Sequence, residues 1–142
     1  ITDRKKNIIV TSSGKNIAPA PIEISLVNSS YIEQVVVIGD NKNFISALIV
    51  PSFEVIGKYL DDLSIKVSDN EELVNNPQVL SLLEKEVEHA MADFSNYEQV
   101  KKFCLIPRLF TLENGELTPS LKVIRGTVTK NFESEINKMY EN

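Results

Sequence analysis

Clusters of apolar residues predict strands in the first third of the chain. Residues 7–11 form a short β-prone run, and a second run at Asn16 and Ile17 follows a Ser-Ser-Gly turn, so the two predict a small hairpin. A valine- and isoleucine-rich run from Ile32 to Ile38 is separated by a Gly-Asp-Asn-Lys-Asn turn from a similar run over residues 44–50. We expect this second hairpin to form the centre of a sheet.

Apolar residues at helical spacing predict helices around that sheet. The first helix begins at Pro19 and ends at Asn28, and the second spans Phe53 to Leu60 with Ser52 as its N-cap. The clearest helix begins at Pro77. Its apolar face is predicted to contain Val79, Leu80, Leu83, Val87, Ala90, Met91 and Phe94. A final amphipathic helix is predicted from the spacing of Val128, Phe132, Ile136 and Met139.

The remaining segments are less regular. The polar and acidic stretch from Asp61 to Asn76 is expected to be a loop with little structure. The β-prone run from Phe103 to Leu112 contains Pro107, which predicts an edge strand or two short pieces. We find no internal repeat. The predicted fold class is α+β: a small antiparallel or mixed sheet with an N-terminal β-hairpin and packed helices.

Composition adds a charge argument to this picture. The chain has 142 residues, the size of one domain, and a formal net charge of −5. That charge argues against a general binder of nucleic acid or anionic membranes, whose affinity comes from neutralising phosphates. The first sixteen residues are locally basic, with Arg4, Lys5, Lys6 and Lys15 against Asp3 alone. A basic end on an acidic body suits one small anionic ligand.

Cysteine and histidine give no sign of a metal site. Cys104 cannot form an internal disulfide and lies among apolar residues, which predicts a buried thiol in a reducing compartment. His89 is expected on the surface of the long helix, and no Cys/His cluster has metal-ligand spacing. No apolar run approaches the roughly 20 residues of a membrane span, and no signal-peptide pattern opens the chain.

Two segments carry the candidate chemistry. The first runs from Asp3 to Pro19 and ends in Gly-Lys-Asn-Ile-Ala-Pro. The second runs from Asn114 to Arg125, where an Asn-Gly turn and a Thr-Pro step deliver Lys122 just before a predicted helix, an arrangement suited to reaching a phosphate. Together they resemble the two signature motifs of the C-terminal domain of adenylate-forming acyl-CoA ligases. The sequences of the two segments are most similar to those of long-chain fatty acid–CoA ligases.

The resemblance implies that residues 1–142 form one C-terminal lid domain of a larger ligase, because the chain starts inside the first motif and lacks an initiator methionine. The N-terminal domain that binds the nucleotide and the acyl chain would then lie outside this chain. The full enzyme would activate a fatty acid with ATP and Mg²⁺ to acyl-AMP and pyrophosphate, and would then form acyl-CoA and AMP. Its partners would be ATP, fatty acid, CoA and its own N-terminal domain.

The resemblance also implies roles for single residues. Lys122 matches the lysine of the adenylation half-reaction, Arg4 the nucleotide-binding arginine, and Lys6 the hinge between two domain orientations. A second set matches the channel for the pantetheine arm of CoA, namely Gly14, Lys15 and Asn16. Many related ligases have a lysine in the strand before this loop, where this chain has Val10.

Two alternatives stay open at this point. An acyl-AMP ligase would hand its product to a carrier protein instead of CoA. A stand-alone binding module would dock an acyl carrier or another protein through the exposed strand near Phe103. We expect a cytoplasmic location, with peripheral contact at the inner membrane as the alternative. The sequence indicates neither the acyl chain length nor the oligomeric state.

Overall fold

The computed structural model describes residues 8–120 and 122–140. Its first elements are two short strands, β1 (Ile9–Val10) and β2 (Asn16–Ile17), which pair antiparallel with Ile9 opposite Ile17. Successive side chains of each strand point to opposite faces, so this register places Ile9 and Ile17 together on the buried face while Val10 and Asn16 face solvent. The predicted N-terminal hairpin is confirmed.

Within the described residues, the central sheet has three strands in the order β3 (Ile32–Ile38), β4 (Ile45–Pro51) and β5 (Val100–Leu105). Strands β3 and β4 are antiparallel, with Val36 opposite Leu48, whereas β4 and β5 are parallel. The sheet is therefore mixed, and the predicted central hairpin is confirmed. Strand β5 lies at the edge, as predicted, but it begins at Val100 and ends before Pro107, so the run over 103–112 was placed too late in the chain.

Helices cover both faces of this sheet. In chain order they are α1 (Pro19–Val27), α2 (Phe53–Asp62), α3 (Asn70–Asn75), α4 (Pro77–Ala90), α5 (Arg125–Asn131) and α6 (Glu133–Met139), with a short 3-10 helix at Asn96–Glu98. The combination of a small sheet and separate packed helices confirms the α+β class. None of the helices in the described part of the chain is long and apolar enough to cross a lipid bilayer.

Alternate residues of β3 and β4 enter two separate apolar cores, because successive side chains of a strand point to opposite faces. The first core combines Val35 and Val37 with the hairpin and helices α1 to α4. The second core combines Val36 and Ile38 with segment 106–117 and helices α5 and α6. A sheet covered on both faces explains why these strands are apolar at nearly every position.

Several local predictions were wrong. The stretch predicted as a loop contains helix α3, because the Asp69 side chain caps it by accepting a hydrogen bond from the Glu72 N–H at 2.9 Å, and Leu73 and Val74 are buried. Leu80, predicted on the apolar face of α4, is 39% exposed. Ser52 precedes α2, but its side chain makes no capping hydrogen bond.

The C-terminal helix and Cys104 also differ from expectation. The predicted single helix is divided at Phe132, whose φ of −115° lies outside the helical range. Phe132 is buried there, and its ring centroid lies 5.8 Å from that of Phe110. The Cys104 thiol is half-buried instead of fully buried, and burial raises its pKa.

Candidate functional site

Lys122 is exposed at the end of a five-residue loop that begins at Thr118. Two hydrogen bonds close the loop: the Thr118 N–H donates to the Lys122 carbonyl oxygen at 2.8 Å, and the Lys122 N–H donates to Thr118 Oγ1 at 3.1 Å. The hydroxyls of Thr118 and Ser120 lie 3.0 Å apart. Just outside the loop, Leu117 and Val123 form an antiparallel bridge. These contacts fix the backbones of Thr118 and Lys122 relative to each other, while the lysine side chain faces solvent.

The predicted Asn-Gly turn leads into this loop. Gly115 has a φ of +72°, a conformation that glycine adopts without steric cost. Next to it, Glu116 pairs with both sides of the turn through its backbone: its N–H donates to the Thr111 carbonyl oxygen at 3.0 Å, and its carbonyl oxygen accepts from the Ile124 N–H at 2.7 Å. Backbone hydrogen bonds from Glu116 to Thr111 and Ile124 thus hold the two ends of the Lys122 loop in place.

The side chain of Glu116 is a feature that sequence reasoning missed. Its carboxylate is 0% exposed and accepts two hydrogen bonds from Arg108 at 2.8 Å each. It also accepts from the Thr111 N–H at 3.1 Å and from Asn131 Nδ2 at 2.9 Å. The Arg108 guanidinium, aided by these other donors, holds the pKa of the Glu116 carboxyl below its usual range. A buried, fully paired ion therefore fixes the turn that leads into the Lys122 loop.

Of the residues predicted to line a CoA channel, Gly14 and Lys15 lie in a loop that begins at Thr11 and ends at Lys15, and Asn16 begins strand β2. The Thr11 N–H donates to the Lys15 carbonyl oxygen at 3.0 Å, and the Lys15 N–H donates to Thr11 Oγ1 at 3.2 Å. Gly14 has a φ of +87°, and a Cβ atom at this position would have no other atom within 4 Å. Glycine is therefore favoured by the backbone conformation and not by lack of space. Lys15 and Asn16 are both exposed, and the Lys15 ammonium lies 5.1 Å from the Tyr97 ring centroid.

An ion pair connects the second signature segment to helix α1, which begins where the first segment ends. Arg125, three residues after Lys122, donates through Nη2 to Glu23 Oε2 at 2.7 Å and through Nε to the Val37 carbonyl oxygen at 3.2 Å. Glu23 Oε2 also accepts from the Val37 N–H at 3.0 Å. Glu23 lies in α1, four residues after Pro19, at which the first segment ends. The start of α5 is therefore fixed to α1 and β3, a contact that the residue types allowed but did not predict.

Both segments also border one cleft of about 540 Å³ between the hairpin, the β3–β4 turn and helices α5 and α6. Its wall carries charges of both signs, from Asp40, Lys42, Arg125, Lys130 and Glu133. Two predicted site residues, Arg4 and Lys6, lie outside the described residues. Within residues 8–120 and 122–140, no group of three or more His, Cys, Asp or Glu side chains could hold a metal ion.

Comparison with known families decides the identity of the domain. The sequence model of the AMP-binding enzyme C-terminal domain matches residues 6–142. The chain belongs to this family. The predicted resemblance to the C-terminal domain of adenylate-forming acyl-CoA ligases is thereby confirmed.

Curated relatives with this AMP-binding enzyme C-terminal domain are fatty acid–CoA ligases. The chain is 39% identical over 141 residues to long-chain-fatty-acid–CoA ligase FadD15 of Mycobacterium tuberculosis. It is 34% identical over 143 residues to long-chain-fatty-acid–CoA ligase 1 of Homo sapiens. Each match covers 99% of this chain but only 24% and 20% of the respective relative. The chain thus spans no more than a quarter of the length of these proteins.

Solved structures show the same fold. The adenylation domain of a carboxylate reductase from Mycobacterium chelonae matches 98% of this chain and 20% of its own, with a TM-score of 0.76 and 21% identity. The A-PCP didomain of the carboxylic acid reductase from Segniliparus rugosus, solved in complex with AMP, matches 96% of this chain and 17% of its own, with a TM-score of 0.73 and 24% identity.

Proposed function

We propose that this chain is the C-terminal domain of a longer AMP-forming long-chain fatty acid–CoA ligase, in which an N-terminal domain binds the nucleotide and the fatty acid. The names of the relatives and the small share of each that the chain covers support this proposal. The full-length protein would join a fatty acid to ATP, releasing pyrophosphate, and would then transfer the acyl group from AMP to CoA. Because the curated relatives are named CoA ligases, CoA is a better-supported acceptor than a carrier protein.

Lys122 is the residue to which we assign adenylation. A fatty carboxylate and the α-phosphate of ATP are both anions, so their approach requires a cation that positions them and stabilises the charge that develops on phosphorus. Lysine supplies a compact positive charge on a long arm. The observation that carries the assignment is the exposed Lys122 side chain on a loop whose backbone is closed by two hydrogen bonds.

The other predicted roles remain proposals. We assign nucleotide binding to Arg4 and the hinge to Lys6 from the motif alone, and we assign the CoA channel to Gly14, Lys15 and Asn16. The positive φ of Gly14 and the exposure of Lys15 and Asn16 support a backbone that a thiol arm can approach closely. Mg²⁺ would enter bound to ATP, whose phosphate oxygens are its usual ligands. The cytoplasmic location stays a prediction.

Replacing Lys122 with alanine in the full-length protein tests the proposal. We expect the rate of palmitoyl-AMP formation, followed by ATP–pyrophosphate exchange, to fall about 100- to 1,000-fold. Palmitoyl-CoA formation from supplied palmitoyl-AMP should largely survive. Lys58→Ala, which removes an exposed lysine from α2, is the matched control. An equal loss in both half-reactions would mean that Lys122 supports the fold and not the chemistry.

The isolated chain should not turn over. Its described residues form two apolar cores and a mixed sheet, so we expect it to fold, but the acyl and nucleotide pockets are assigned to the other domain. ATP–pyrophosphate exchange with palmitate measures this directly. Substantial exchange by the purified 142-residue chain would refute the assignment of those pockets.

A further inference from the structure

The outer edge of strand β3 is closed at Val37 by two side chains. In the described part of the chain, β3 lies at one end of the sheet order. The Val37 N–H donates to Glu23 Oε2 at 3.0 Å, and the Val37 carbonyl oxygen accepts from Arg125 Nε at 3.2 Å. Arg125 Nη2 donates to the same Glu23 oxygen at 2.7 Å. One ion pair therefore satisfies both backbone groups of Val37, as a neighbouring strand would elsewhere in a sheet.

This ion pair joins helices that lie on opposite faces of the sheet. Glu23 belongs to α1, whose Ile22 and Leu26 pack into the first core. Arg125 begins α5, whose Val128 packs into the second core. Apolar packing has no preferred direction, so two cores separated by a sheet fix the relative position of the helices only weakly. A charge-assisted hydrogen bond around the edge of the sheet fixes that position better, because its length and angle are restricted.

The ion pair is partly shielded from water. The side chains of Arg125 and Glu23 are 23% and 24% exposed, respectively. A fully exposed ion pair contributes little, since water screens it and both side chains stay mobile. Here each charged group also bonds to the backbone of Val37, which restricts the orientation of both side chains. The pair therefore holds α1 and α5 in one relative position.

The two helices follow the segments to which we assign chemistry. Helix α1 begins at Pro19, after the hairpin that contains the proposed CoA-channel residues, and the proposed hinge Lys6 precedes that hairpin in the sequence. Helix α5 begins three residues after Lys122. The hinge and the hairpin are thus neighbours along the chain, whereas Lys122 belongs to the segment that packs on the other face. Its position relative to the hinge depends on how α5 is held to α1.

We propose that Glu23 and Arg125 are positioning residues for adenylation, because their ion pair sets the place of Lys122 relative to the hinge at Lys6. The inference rests on the proposed function. Rotation at the hinge has to deliver the Lys122 ammonium to the fatty carboxylate and the α-phosphate, where a displacement of about 1 Å slows a reaction strongly. Thioester formation would use the hairpin, which lies on the same side of the ion pair as the hinge. That half-reaction should not depend on the pair.

Glu23→Gln in the full-length protein is the first test. Glutamine keeps an oxygen for the Val37 N–H but removes the charge that holds Arg125. The rate of palmitoyl-AMP formation should fall about 3- to 10-fold, the equivalent of one hydrogen bond. Neither the KM values for ATP and palmitate nor the single-turnover rate of palmitoyl-CoA formation from palmitoyl-AMP should change by more than about twofold. Glu33→Gln, which changes an exposed carboxylate on β3, is the matched control.

A double-mutant cycle shows whether the two residues act together. Arg125→Gln should reproduce the loss in adenylation. The combined variant should be no slower than the slower single variant, because both changes break the same pair. A loss in the combined variant equal to the product of the two single losses would show independent action and would overturn the inference. Lys138→Gln, which removes an exposed cation from α6, is the control for Arg125→Gln.

A role limited to stability gives a different result. With CoA omitted, each competent enzyme molecule releases one pyrophosphate in its first turnover, so the amplitude of that burst counts the competent molecules. We expect Glu23→Gln to have the wild-type amplitude and a lower burst rate, because positioning changes the rate and not the number of competent molecules. A lower amplitude with an unchanged burst rate would show that the ion pair only maintains the fold. An equal loss in both half-reactions would show the same, and either result would overturn the inference.

An unchanged adenylation rate in Glu23→Gln would also overturn it. Failure of the proposed function looks different, because Lys122→Ala would then leave adenylation intact. A normal effect of Lys122→Ala beside an unchanged rate in Glu23→Gln would reject only the positioning role of the ion pair.

Discussion

The loop from Thr11 to Lys15 and the loop that ends at Lys122 share three hydrogen bonds between their threonine, serine and lysine residues, but they have different supports. The turn before the Lys122 loop is fixed by Glu116, whose carboxylate is 0% exposed and accepts four hydrogen bonds. The Lys15 loop joins two strands of two residues each, β1 and β2, and this hairpin is hydrogen-bonded to the β3–β4 turn. There the Ser12 N–H donates to the Lys42 carbonyl oxygen at 2.9 Å, and the Val10 N–H donates to Asp40 Oδ1 at 3.1 Å.

Two loops with similar internal hydrogen bonds can therefore differ in how rigidly the rest of the domain holds them. A buried charged group is costly to displace, so a loop resting on it has one favoured position. Surface hydrogen bonds to a turn allow more movement, because water can replace them. We therefore expect adenylation to depend on a rigid support beneath its lysine, and thioester formation to tolerate changes beneath Lys15.

Among substitutions in the supports of the two loops, the largest effect is expected at Glu116. In the full-length protein, Glu116→Gln removes the charge that pairs with Arg108 and one oxygen that accepts from it. Displacement of the Lys122 loop should lower the adenylation rate about 10- to 100-fold, while thioester formation from palmitoyl-AMP changes little. Glu113→Gln, an exposed carboxylate in the same turn, is the control. Indistinguishable adenylation rates for the two variants would show that Glu116 does not position the Lys122 loop.

A smaller effect is expected at the threonines that close the loops. Thr118→Val and Thr11→Val each remove the Oγ1 that accepts the lysine N–H. We expect about a 3- to 10-fold loss, the equivalent of one ordinary hydrogen bond. Thr118→Val should slow adenylation, and Thr11→Val should slow thioester formation. Each variant serves as the control for the other, and a loss in the same half-reaction for both would contradict the separation.

The smallest effect is a change of stability with pH. Because the pKa of Glu116 is lowered in the folded chain, its contribution is fully present above the usual carboxyl pKa of about 4.3 and is lost as the pH falls through the folded value. Urea unfolding of the isolated chain at pH 7 and pH 3 should show that the difference in free energy of unfolding between wild type and Glu116→Gln shrinks on acidification. A constant difference would contradict the charged pair.

The sheet and most helices could be predicted because their residues determine them locally. Valine- and isoleucine-rich runs on either side of a Gly-Asp-Asn turn have few alternatives to a hairpin, and Pro77 begins a helix with a clear apolar face. Helix α3 was missed because its acidic composition concealed Leu73 and Val74. The division at Phe132 depends on tertiary contact with Phe110, which no local pattern contains.

The candidate site was predictable only in part. Resemblance located both segments, and the exposed Lys122 is compatible with the role assigned to it. The likeness between residues 11–15 and 118–122, which share threonine first, serine third and lysine last, was missed because three matching residues in five are too few to stand out from chance. Glu116 was missed because a glutamate beside an Asn-Gly turn is ordinarily solvated. Its burial depends on Arg108 and Asn131, which come from other parts of the chain.

The central claim is that a positive charge at position 122 is needed for adenylation. Lys122→Cys in the full-length protein should slow palmitoyl-AMP formation as alanine does. Treatment with 2-bromoethylamine, which rebuilds an ammonium on a chain of nearly lysine length, should restore most of the rate, and iodoacetamide, which adds a neutral group, should not. Equal recovery with both reagents would contradict the claim, because the length of the side chain and not its charge would then be what adenylation requires.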